Sequence, residues 1–102
     1  MVVKILPNDK NNNAPNGKLA DVEVHFTDGA MEGLRLLGFS VWEKKNGSGR
    51  SVTFPSRTYS VNGQRRNFSL LRAVSDLKAQ DRMRDLVLQA YADFESREAI
   101  AS

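Results

Sequence analysis

Apolar and polar residues alternate along the first two thirds of this 102-residue chain and then switch to a helical period. Residues 2–6 form a short β-branched and aliphatic run closed by Pro7, which predicts a strand. Residues 8–17 are polar and asparagine-rich, with no apolar face to bury, and read as a flexible loop. Over residues 19–26, Val22, Val24 and Phe26 fall on one side and Asp21, Glu23 and His25 on the other, the period of two that marks a half-buried strand. Asp28-Gly29 signals a turn. Residues 34–43 predict a third strand, with Leu37, Phe39 and Val41 on one face and Leu36, Gly38, Ser40 and Trp42 on the other.

Asn46-Gly47-Ser48-Gly49 predicts a further turn, because glycine takes positive φ without steric cost. A short strand follows over residues 51–54, with Val52 and Phe54 on one side, and Pro55 ends its pairing. Asn62-Gly63 has the composition of a two-residue hairpin turn, entered by residues 58–61 and left by residues 64–71 as a fifth strand. The period then changes. Met83, Leu86, Val87, Ala90, Tyr91 and Phe94 make a stripe that only a helix aligns, with Ser75 or Asp76 as its N-cap. Strands first and one helix last predict an α+β fold: a twisted antiparallel sheet of about five strands with one C-terminal helix packed on it. The length suits a single domain over residues 1–102, with residues from about 97 onward frayed.

Charge changes this picture more than composition does. Hydrophobic residues at 40% and charged residues at 26% are ordinary for a globular domain. The net charge of +3 conceals a block, residues 44–72, that holds seven basic side chains and no acidic one, between flanks that each carry −2. Clustered Lys and Arg attract phosphate and release its counterions, so Lys44, Lys45, Arg50, Arg57, Arg65, Arg66 and Arg72 are the candidate nucleic-acid contacts. Cysteine is absent, which excludes disulfides, thiolate metal sites and cysteine nucleophiles and fits a reducing compartment. No apolar run approaches the ~20 residues that span a bilayer, and residues 1–7 lack the pattern of a signal peptide, so a cytoplasmic location is expected.

Catalytic chemistry finds no constellation here. His25, the sole histidine, sits beside Asp21 and Glu23 in the pattern of any solvated strand face, and no metal site is expected. Ser56 lacks the local context of a nucleophile, and Gly47-Ser48-Gly49 lacks the lysine and spacing of a phosphate-binding loop. The expectation is a protein without enzymatic activity, cofactor or small-molecule substrate. Trp42 and Tyr59 read either as sheet residues or as aromatic anchors for a partner.

Gly38-Phe39-Ser40-Val41-Trp42-Glu43, Asn46-Gly47, Phe54-Pro55-Ser56-Arg57, Asn62-Gly63 with Arg65-Arg66, and Val87-Leu88-Gln89-Ala90-Tyr91 together resemble the stage V sporulation protein G family, the SpoVG septation regulators. The similarity covers about residues 2–94, and its most specific piece is Pro-Ser-Arg after a strand and shortly before the Asn-Gly turn. It implies a small sheet with a C-terminal helix, a homodimer joined through the sheet, and site-selective DNA binding, with RNA also bound within the family. By position, Pro55, Ser56 and Arg57 match the family's Pro-Ser-Arg, and Arg65 or Arg66 its basic residue after the turn. Residues 67–74 depart from the family pattern, which has a His-Pro-Ile type stretch there.

The expected function is a regulatory protein that binds nucleic acid, DNA first and RNA second, through the basic surface of residues 44–72, with Arg57 and Arg66 as the base-reading candidates. The competing expectation is a protein-interaction module that docks an acidic partner through a sheet edge or the Trp42 patch.

Overall fold

The computed structural model describes residues 1–8, 17–44 and 49–101, with the side chain of Ala101 excepted. The Asn46-Gly47 turn and most of the asparagine-rich loop lie outside the described residues. The fold is α+β, with six strands and one long helix among these residues. Strands β1 (Val2–Pro7), β2 (Lys18–His25), β3 (Arg35–Glu43) and β4 (Arg50–Thr53) form an antiparallel sheet in chain order. Strands β5 (Ser56–Val61) and β6 (Gln64–Ser69) pair only with each other, as a separate hairpin. The strands therefore divide four and two instead of forming one sheet. Pro55, which has no N–H to give to a ladder, stands at the break.

Helix α1 (Lys78–Ala101) covers one face of the four-stranded sheet. It continues to Ala101, past the point near residue 97 where fraying is expected. Asp76 caps it: the carboxylate Oδ1 accepts the Lys78 N–H at 3.0 Å and so satisfies one of the donors a helix start leaves free. The core is Ala20, Val22 and Val24 of β2, Phe39 and Val41 of β3, and Val87 and Tyr91 of α1. Burying a valine or phenylalanine side chain stabilises by roughly 1.5–3 kcal/mol, so this small set is the main source of cohesion. The helix reaches both edge strands, β1 and β4, as it can when a sheet twists around it.

The helical stripe is narrower than its sequence spacing implies. Val87 and Tyr91 are buried and Met83 and Phe94 pack against them, whereas Leu86 faces outward. Strand β3 shows a second shift. Val22 pairs with Phe39 and Val24 with Leu36, so two steps along β2 match three along β3, the signature of a bulge. The extra residue reverses the alternation: Leu36 joins Phe39 and Val41 against the core, and Leu37, expected inside, is exposed. Gly38, at φ +110°, permits the bulge.

Candidate nucleic-acid interface

Hairpin β5–β6 positions most of the site. Asn62 at φ 52° and Gly63 at φ 79° give the turn positive φ at both central residues, the type I′ geometry whose twist suits two antiparallel strands. That turn fixes the register: Arg57 pairs with Phe68, Tyr59 with Arg66, and Val61 with Gln64. Directly paired residues share a face, so Arg57, Tyr59, Val61, Arg66 and Phe68 lie together on one side of the ribbon. Thr58, Ser60, Arg65 and Asn67 occupy the other, where Thr58 Oγ1 meets Asn67 Oδ1 at 3.1 Å.

The hairpin projects from the body. All six residues of β5 are exposed, and a backbone bond from Leu70 N–H to Pro55 O, 2.9 Å, closes its base. The radius of gyration is 15.2 Å, against about 13 Å for a compact domain of this length. On the arm's aromatic face Tyr59 and Phe68 retain 41% and 47% of their exposure, and the Arg72 guanidinium lies over the Phe68 ring at 4.9 Å. An isolated two-stranded hairpin is marginal in water, and both of these exposed rings stand on one face of this one. At the base, Phe54 packs edge-on against Phe39 at 5.2 Å and carries Arg84 over its outer side at 5.4 Å.

The basic block does not gather on one surface. Arg57, Arg66 and Arg72 belong to the aromatic face of the arm and its base, and Arg65 points the opposite way. Lys44 and Arg50 flank the far end of β4, roughly 16 Å along the chain from the arm's base at Pro55. Lys44 is exposed; Lys45 lies outside the described residues. Arg50 is half-buried, its Nη2 3.1 Å from Glu95 Oε2, and its Nε is buried without an acceptor. The bond to Glu95 raises the Arg50 pKa further. Arg50 therefore ties β4 to the helix, which leaves it poorly placed to meet a phosphate.

Across the helix-free face of the sheet the polar side chains satisfy one another. Glu23 Oε1 lies 2.9 Å from His25 Nε2 and 3.3 Å from Arg35 Nη1, and the His25 hydrogen bond, with Arg35 adding to it, lowers the Glu23 pKa. Trp42 is half-buried there and its indole N–H donates to Thr53 Oγ1 at 2.9 Å. Among the described residues no three His, Asp or Glu side chains are grouped to hold a metal ion. No helix among them is long and apolar enough to cross a membrane.

No family model, curated protein or solved structure matches the chain. The sequence marks Tyr59, near Arg57, as either a sheet residue or an anchor, and does not single out Phe68 or Arg84. The signal for Phe68 was present: a two-residue turn at 62–63 pairs 57 with 68 and 59 with 66 by counting outward.

Proposed function

We propose that this protein binds nucleic acid and acts as a regulatory factor, using the arm β5–β6 as its principal contact surface. The observation that carries the reading is the face on which Arg57, Arg66 and Arg72 stand among exposed Tyr59 and Phe68, within a stretch that has no carboxylate. Arginine supplies charge and a planar fork for phosphate or a guanine edge, and exposed rings supply surface for bases. The resemblance to the SpoVG regulators points in the same direction, since its Pro-Ser-Arg motif coincides with Pro55, Ser56 and Arg57 at the root of the arm. Association into a homodimer belongs to this proposal: β1 and β4 are sheet edges, and natural proteins commonly pair or cover such edges.

Fluorescence-anisotropy titration of labelled duplex DNA, single-stranded DNA and RNA at two salt concentrations tests it. Affinity falls with salt, with a log-log slope of about −0.9 per phosphate contact on a duplex and about −0.7 on a single strand. The Arg57→Ala, Arg66→Ala double variant binds more weakly and with a shallower slope. Salt-independent binding, or none at low salt by folded protein, defeats the proposal and leaves an interaction module for an acidic protein partner as the better reading. The half-burial of Trp42 and its bond to Thr53 make the arm, not the Trp42 patch, the surface such a partner would meet.

A further inference from the structure

Resting on that reading, we infer that the aromatic face of the arm takes single-stranded nucleic acid, with one base stacked on Tyr59 and its neighbour on the stack formed by Phe68 and Arg72. Tyr59 is directly opposite Arg66, and Phe68 is directly opposite Arg57, which makes the two rings diagonal neighbours on one face. Diagonal positions on a hairpin are about 7–8 Å apart. Consecutive bases in a stacked strand are separated by only about 3.4 Å, so the two platforms match bases that have been pulled apart from each other. A single strand allows this, and a duplex does not.

The chemistry of the face agrees with that spacing. Each ring has a basic side chain beside it, Arg66 by Tyr59 and Arg57 by Phe68, placed to hold the phosphates on either side of a stacked base. Arg72, whose guanidinium lies over the Phe68 ring at 4.9 Å, offers its own guanidinium plane for stacking. A duplex presents phosphates and groove edges to an arm and keeps its base faces inside, so Tyr59 and Phe68 would contribute little there. Exposed Val61 at the tip adds apolar surface next to the Tyr59 platform.

The test uses the whole chain, with labelled single-stranded DNA, single-stranded RNA and a duplex of the same sequence. Two sets of variants separate stacking from charge: Tyr59→Leu with Phe68→Leu, and Arg57→Ala with Arg66→Ala. Stacking is worth about 1–3 kcal/mol per base, so the leucine variant loses roughly 30-fold or more in single-strand affinity, with its salt slope unchanged and a much smaller loss on the duplex. Tyr59→Trp with Phe68→Trp retains or strengthens single-strand binding, which shows that a loss in the leucine variant reflects the missing rings. The DNA and RNA arms of the experiment identify the strand. Equal losses on duplex and single strand, or no loss in the leucine variant, overturn the inference while salt-dependent binding preserves the broader proposal. A leucine variant that turns from dimer to monomer in sedimentation, with affinity per protomer unchanged, assigns the face to a second copy of the chain and also overturns it. No binding by the wild-type protein to any of the three ends both readings.

Discussion

Gly38 lies against Pro55 so closely that a Cβ on Gly38 would stand 3.0 Å from the Pro55 Cβ and 3.2 Å from its Cα. This contact couples the bulge of β3 to the point where the chain leaves β4 and enters the arm. Gly38 at φ +110° is strained for any other residue, and a Cβ there would press tightly on Pro55.

Gly38→Ala is accordingly expected to destabilise the fold by about 1–3 kcal/mol, since it adds backbone strain and a clash with a buried proline ring. Urea unfolding followed by circular dichroism measures this. An unchanged midpoint would show that the bulge relaxes without cost.

Arg50 separates stability from binding. Its partner Glu95 is on the helix, and the two side chains keep 32% and 42% of their exposure, so the pair ranks with surface ion pairs. A double-mutant cycle of Arg50→Ala and Glu95→Ala is expected to give a coupling of about 0.5 kcal/mol. Nucleic-acid affinity of Arg50→Ala stays within about twofold of wild type, because the side chain is engaged within the fold. A tenfold loss of affinity would return Arg50 to the contact surface.

Arg65 and Arg66 are neighbours in sequence and opposites in space. Arg66→Ala is expected to cost about 1–3 kcal/mol of binding if it reads a base edge and to reduce the salt slope by about one contact if it holds a phosphate. Arg65→Ala leaves both nearly unchanged, since Arg65 shares its face with Ser60, Thr58 and Asn67. Equal effects of the two substitutions in anisotropy titrations would mean that the ligand wraps both faces of the arm.

Tyr91 gives the fold an alkaline limb. Burial raises the pKa of its phenol above the ordinary 10.0, and nearby Glu95 raises it further. The sign follows from linkage: the unfolded chain loses this proton first as pH rises, so the stability contributed by the neutral phenol is present below about pH 10 and is lost above it. Thermal unfolding from pH 9 to 11 is expected to show a steeper fall in Tm for wild type than for Tyr91→Phe. Parallel curves would place the phenol outside the coupling.

The α+β class, the C-terminal helix, a cap at Ser75 or Asp76 and the Asn62-Gly63 hairpin were all legible in the sequence, because each depends on local chemistry. Alternation, helical period, capping residues and turn residues act over two to seven positions, and chain order carries that information directly. The basic block was equally legible as composition. Its distribution in space was not. Whether Leu36 or Leu37 faces the core depended on a bulge that needs the pairing of β2 with β3 and the packing of Gly38 on Pro55. Arg50 was drawn to Glu95, 45 positions away, because the helix lies against β4. The pairing of Arg57 with Phe68 and Tyr59 with Arg66 followed from the hairpin turn, but only the arm's detachment from the main sheet leaves that face exposed. Sequence by itself determined the elements, the local turns and the charge; tertiary structure decided which charges are paired within the fold and which stand among exposed rings, because that depends on contacts between segments whose separation along the chain hides their distance in space.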